Sequence, residues 1–116
     1  MHKYKELAVW KKAMKLNTSV YQITDSFPSK EQFGLTNQIR RSSVSVASNI
    51  AEGAGRNTNR EFKQFLGIAI GSLFELETQL LISQEVGYSN DSEIKNLIDS
   101  IGEIHKMLFG LKSSLN

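Results

Sequence analysis

The sequence predicts an all-α protein, an antiparallel up-down-up-down four-helix bundle. Apolar residues recur at alternating steps of four and three along three long segments, and no segment alternates in the two-residue manner of a strand. Only a few residues, rich in turn formers, separate the four segments. Long helices joined so closely fold back on one another.

The first helix is expected over about residues 6–26. Val9, Ala13, Leu16, Val20, Ile23 and Phe27 recur at the seam spacing of packed helices, and Pro28 ends the run because it removes an amide donor and crowds the preceding turn. The second, about 31–54, has less bulk: Leu35, Ile39, Val46 and Ile50 are interspersed with Ser42, Ser43, Ser45 and Ser48. Gly53 and Gly55 supply its stop.

Thr58-Asn59-Arg60-Glu61 has the form of a capping box, whose hydroxyl and carboxylate satisfy amides left unpaired at a helix start. A third helix over about 59–86 follows, with Phe62, Leu66, Ala69, Leu73, Leu76 and Leu80 as its seam. After Gly87, Asn90 and Glu93 cap a fourth, about 91–114, carrying Ile94, Leu97, Ile101, Ile104, Leu108, Leu111 and Leu115.

A chain of 116 residues makes one domain, residues 1–116, large enough for a cooperative core without staples. It contains no cysteine, which excludes disulfides and thiolate metal sites and suits a reducing compartment; cytoplasm is the expected setting. The charged start, Met1-His2-Lys3-Tyr4-Lys5-Glu6, lacks the apolar region of a signal peptide. The longest charge-free window, around Phe65 to Phe74, is short for a membrane span, so no membrane association is expected.

Net charge is +2, unevenly distributed. Residues 1–70 hold 11 Lys and Arg against 5 Asp and Glu, a net +6, whereas residues 71–116 hold 3 against 7, a net −4. The excess points to an anionic partner for the first half or to electrostatic pairing of helices.

Two helices have more apolar surface than one core needs. The first places Leu7, Trp10, Met14 and Tyr21 about a third of a turn from its seam, and the third does the same with Ile70, Phe74 and Leu81. One explanation is a broad apolar stripe on a closely packed monomer; the other, which is expected here, is self-association, because large exposed apolar patches are uncommon on monomers. Gly67-Ile68-Ala69-Ile70-Gly71 spaces two small residues as at a tight helix crossing.

Gln38, Ser42, Ser45, Asn49 and Glu52 form a hydrogen-bonding stripe on the second helix. A solvated face would more naturally carry better helix formers, so Ser45 and Asn49 are expected at a subunit contact or ligand surface.

Catalytic chemistry finds no constellation. A di-iron bundle needs inward Glu-x-x-His pairs, and neither His2 nor His105 has a Glu three residues before it. No Gly-x-Ser-x-Gly elbow or phosphate-cradling glycine loop occurs. No catalytic residue, metal or cofactor is expected. Basic residues carry the remaining signal: Arg40 and Arg41 on the second helix, Arg56 in the next turn, and Arg60 and Lys63 at the start of the third. The last three fall at one end of a bundle, where arginine suits phosphate and where salt bridges to Glu52 or Glu61 are the competing use.

Wording adds to spacing. Tyr4-Lys5-Glu6-Leu7, Val9-Trp10, Lys12-Ala13, Phe27-Pro28, Phe33-Gly34-Leu35, Gln38-Ile39-Arg40-Arg41, Ser45-Val46, Asn49-Ile50-Ala51-Glu52-Gly53, Gly55-Arg56, Glu61-Phe62, Phe65-Leu66, Ile68-Ala69, Gly71-Ser72-Leu73 and Glu75-Leu76-Glu77, ending near Gly87-Tyr88, span three quarters of the chain. Together they resemble the bacterial four-helix bundle family first noticed as reading frames within intervening sequences of 23S ribosomal RNA genes.

The resemblance implies a homopentameric ring and an association with RNA. Distant relatives look like accessory proteins of retroelements that engage a reverse transcriptase and nucleic acid. Two positions depart from the family pattern: Ala47 stands where proline is common, implying a straighter second helix, and Ile70 stands where a basic residue is frequent, removing one positive charge.

The expected function is that of a non-enzymatic, oligomeric nucleic-acid-binding protein, with RNA or DNA held by phosphate contacts from Arg40, Arg41, Arg56, Arg60 and Lys63. Trp10, Met14, Tyr21, Ser45, Asn49, Ile70 and Phe74 are its expected interface residues. The alternative is a scaffold ring that recruits a protein partner such as a reverse transcriptase without touching nucleic acid.

Overall fold

Four α-helices and two short 3-10 turns make up the computed structural model, which describes residues 1–115. Helix α1 spans Ala8–Thr24, α2 Leu35–Ala54, α3 Asn59–Glu85 and α4 Asp91–Ser114. No strand occurs among the described residues.

The first two helices start later than periodicity predicts. Tyr4–Glu6 forms a separate 3-10 turn and Leu7 is extended, so α1 begins at Ala8. Ser29–Glu31 makes another such turn after Pro28, and Gly34 is non-helical with φ −110° and ψ −115°, which delays α2 to Leu35. The α1 seam begins at Val9 and that of α2 at Leu35, so apolar spacing fixes neither start and cannot distinguish a 3-10 turn from the helix it abuts.

Side-chain pairings fix the helix directions. Along α2 and α3, Ser42 meets Glu75 and Gln79 while Ser45 meets Ser72, so numbers rise on one helix as they fall on the other. Thr24 and Asn17 of α1 meet Arg40 and Ser43 of α2 in the same opposed sense. Gln84 with Asp91 and Phe74 with His105 orient α4 against α3, and Lys12 with Glu103 joins α4 to α1. The order is therefore up, down, up, down, within a body measuring 44 × 24 × 20 Å.

All the predicted seam residues of α1 and α3 are buried, as are Ile39, Val46 and Ile50 of α2 and Ile94, Leu97, Ile101, Ile104 and Leu108 of α4. Each fully buried Leu or Ile contributes on the order of 1.5–3 kcal/mol by removal from water. By length and composition α3 passes as a membrane-crossing helix, with a mean hydropathy of 1.5 in its most apolar window, contrary to the sequence reading. Much of that apolar surface is the bundle core itself, since Phe62, Leu66, Ala69, Leu73, Leu76 and Leu80 face the other helices.

The tight crossing is not where Gly67 and Gly71 suggest. A Cβ on Gly71 would meet nothing within 4 Å, and one on Gly67 only the Lys112 amine at 3.7 Å. The close approach is at Gly53, where a Cβ would lie 2.6 Å from that of Phe65 and 3.0 Å from the Phe62 ring. Gly53 lets α2 settle onto the first turns of α3, and this pair makes the most extensive contact in the bundle.

Candidate nucleic-acid interface

The turn between α2 and α3 is built by its ends. Gly55 closes α2 by donating its amide to the carbonyls of Ala51 and Glu52. Three residues on, the Thr58 hydroxyl accepts the Glu61 amide at 3.1 Å and approaches the Glu61 carboxylate at 3.1 Å. Arg56 and Arg60 are exposed on this rigidly capped turn.

Arg56 is partly anchored. Its guanidinium lies 5.0 Å from the centroid of Phe65, with Nε 3.7 Å from a Glu61 carboxylate oxygen. Stacking on an aromatic face orients the guanidinium without consuming all of its donors. Lys63, half-buried on the next turn of α3, has a contact within the chain.

Arg40 and Arg41 lie toward the other end of α2, away from this turn. Arg40 Nε donates to Thr24 Oγ1 at 2.9 Å, while Nη2 donates to the Tyr21 carbonyl at 3.4 Å and lies 3.5 Å from Asp25. Its guanidinium also covers the Tyr21 ring at 4.5 Å. Arg40 thus ties α2 to α1, and Tyr21, expected at an interface, is half of that tie. Arg41 is exposed. The structure therefore brings together three of the five predicted basic residues and separates the other two.

Charge sorts along the bundle. Cut at the middle of each helix, the half holding residues 1–16, 45–72 and 103–116 carries 10 Lys and Arg against 4 Asp and Glu, a net +6. The opposite half carries 4 against 8, a net −4. The antiparallel fold places the start of α1 and the end of α4 beside the Arg56–Arg60 turn, and the electropositive end is an outcome of topology. Sequence order shows the charge imbalance but not this juxtaposition.

The expected interface residues divide. Met14 and Phe74 are exposed, and Trp10 is half-buried with its ring edge-on to Tyr4 at 5.2 Å. Ile70 does not lie on an outer face: it is 8% exposed and belongs to the core, because the crossing of α3 with its neighbours covers a wider arc than one seam.

The middle of the polar stripe of α2, Ser42, Ser45 and Asn49, is engaged within the chain, whereas Gln38 and Glu52 are exposed. Ser42 is buried and donates to Glu75 at 2.6 Å, Ser45 lies 2.8 Å from Ser72, and the Asn49 amide donates to the Ser45 carbonyl at 2.8 Å. Ser42 and Ser45 set the register of α2 on α3, while Asn49 bonds back within α2. A hydrogen-bonding stripe at helical spacing carries no sign of whether its partner is in the same chain or another.

An aromatic patch on α3 and α4 escaped sequence reading in part. Phe74 and Phe109 are about half exposed on either side of His105, with centroid distances of 4.2 and 6.1 Å. The four-residue step from His105 to Phe109 is its sequence signal. Among the described residues, no group of three or more His, Cys, Asp or Glu side chains is placed to hold a metal ion.

The chain matches the family described as 23S rRNA-intervening sequence protein over residues 5–110. Its fold is similar to that of a crystal structure from Bacteroides thetaiotaomicron, described as a protein with unknown function from the S23 ribosomal protein family. The TM-score is 0.82 at 22% identity, covering 92% of this chain and 100% of that one. No curated protein matches.

Proposed function

Because the chain belongs to the 23S rRNA-intervening sequence protein family, we propose that it is a non-enzymatic RNA-binding protein that grips phosphates with the basic end of its bundle. Arg56, Arg60 and Lys63 supply the central contacts; Arg41, in the acidic half of the bundle, and Arg40, engaged with α1, stand apart from them. The observation that carries this reading is the sorting of charge, 10 basic against 4 acidic side chains in one half of the bundle. Charge concentrated at one end attracts a polyanion more strongly than the same net charge spread evenly.

The protein acts as a homo-oligomer, in which copies of the basic end add their weak contacts into one stronger attachment. Phosphate recognition of this kind shows little sequence preference and weakens steeply with salt.

Fluorescence anisotropy of a labelled RNA hairpin, titrated from about 50 to 200 mM salt, tests the reading. Steep salt dependence that diminishes in Arg56→Ala/Arg60→Ala is the expected result. An assembled protein that ignores RNA at low salt would overturn it and favour a scaffold that recruits a protein, for which the exposed Phe74 and Phe109 rings are the supporting observation.

A further inference from the structure

We propose that residues 2–5, preceding α1, form part of the RNA-binding surface, with Lys3 and Lys5 contacting phosphates alongside Arg56 and Arg60. This inference rests on the phosphate reading above and extends it to a segment distant in sequence.

Three contacts hold the segment, two of them against the ends of α2 and α3 that flank their turn. The His2 amide donates to the Ala54 carbonyl at 2.7 Å, satisfying an acceptor in the last turn of α2. The His2 ring lies 5.0 Å from that of Phe62, in the first turn of α3. Tyr4 opens the 3-10 turn and places its ring 5.2 Å from Trp10, fixing the segment to α1 as well. A stretch tied to three helices is ordered before any ligand arrives, so its lysines bind without the entropic cost of ordering a loose tail.

Lys3 lies between the tied residues His2 and Tyr4, and Lys5 directly follows Tyr4. Both are exposed, and neither has an ion pair or hydrogen bond from its side chain among the described residues. Two other basic residues of this end are paired with carboxylates, Arg56 with Glu61 and Lys12 with Glu103. If residues 2–5 served only to cap α2, the backbone amide and the two rings would suffice, and the lysines would be interchangeable with any polar residue. The neighbouring His2 abuts Ala54 and Phe62, each two residues from Arg56 and Arg60 respectively, and this widens the basic end from one turn to two adjoining segments.

Lys3→Ala/Lys5→Ala leaves all three anchoring contacts in place, and an unchanged thermal melt verifies this. Anisotropy with a labelled RNA hairpin is then compared for this variant, Arg56→Ala/Arg60→Ala, and Lys30→Ala/Lys95→Ala, which removes the same net charge from the acidic half. Each lost phosphate contact lowers the slope of log affinity against log salt by about 0.7–0.9. The lysine variant at residues 3 and 5 is expected to lose about 1.5 from that slope and to bind several-fold more weakly at moderate salt, while the Lys30/Lys95 control stays near wild type.

A response to the arginine variant with none to Lys3→Ala/Lys5→Ala would overturn the inference and leave the phosphate reading standing. Equal losses in the Lys30/Lys95 control would reduce the effect to net charge and overturn it too. Wild-type protein that binds anionic phospholipid vesicles but no RNA would overturn both readings together.

Discussion

The imidazole of His105 lies 4.2 Å from the ring of Phe74, and neither of its ring nitrogens, both shielded from solvent, has a hydrogen-bond partner among the described residues. Burial holds its pKa below the ordinary histidine value of 6.5, an effect that the Glu77 carboxylate partly opposes. The folded chain favours neutral His105, and the unfolded chain binds a proton more readily. Stability from this group is therefore full above about pH 6.5 and is lost as pH falls from there toward the lowered folded value. Thermal melts from about pH 8 to about pH 5 should show a decline below 6.5, and His105→Leu should flatten it. A wild-type melt no more sensitive to pH than the variant would contradict this.

Gly53 and Gly71 should respond in opposite directions to the same substitution. At Gly53 an added methyl collides with the Phe65 Cβ at 2.6 Å, and Phe62 Cδ1 stands only 3.0 Å away, so α2 must move off α3. Gly53→Ala is expected to destabilise the fold by about 1–3 kcal/mol despite alanine's better helix propensity. Gly71 lies mid-helix with open space around it, and Gly71→Ala should stabilise by about 0.5–1 kcal/mol. Urea titrations of the two variants decide the matter, and equal effects would mean that the α2–α3 crossing is looser than its geometry.

Why the sequence anticipated the fold better than the site follows from how each is encoded. The seams of α1, α3 and α4 repeat over many residues, so a few exceptions leave the signal intact, and the caps at Thr58 and Asn90 are local patterns read directly. The site depends on single side chains choosing between neighbours. Arg40 and Arg56 look alike in sequence, yet one is tied to Thr24, Tyr21 and Asp25 while the other stands on Phe65 at the basic end. Spacing assigns Ile70 to an outer face, yet it is buried, because angular position on a helix says nothing of how broadly the neighbouring helices cover α3. The approach of His2 to Ala54 joins residues 52 apart in sequence, and no local pattern announces it.

Thr58 and Asn90 perform the same service at the starts of α3 and α4, accepting the amides of Glu61 at 3.1 Å and Glu93 at 2.9 Å. Removing either side-chain oxygen leaves an amide without its partner, at a cost of about 0.5–2 kcal/mol. Thr58→Ala has a second consequence, since Glu61 also faces Arg56 and a frayed first turn releases both. Thermal melts should fall for both variants, whereas RNA affinity should change for Thr58→Ala alone. An RNA effect of equal size in Asn90→Ala, whose cap lies at the acidic end, would show that affinity follows overall stability rather than the geometry of the basic end.

Phe74 is the residue on which the proposed self-association is most directly tested. It is 53% exposed, lies tilted against His105, and flanks that ring opposite Phe109, a combination that costs solvation in an isolated chain and is relieved when a second copy covers it. Phe74→Asp leaves the core seam of α3 untouched, so the bundle should retain its helical content while an aspartate disfavours burial against another copy. Light scattering at micromolar concentration should report a multimer for the wild-type protein and a mass near the 13.0 kDa of one chain for the variant. A wild-type protein already at that mass would remove the oligomer from the proposal and leave RNA binding to a single basic end. A multimer that survives Phe74→Asp would instead place the subunit contact elsewhere, with Met14 on the outer face of α1 the next surface to substitute.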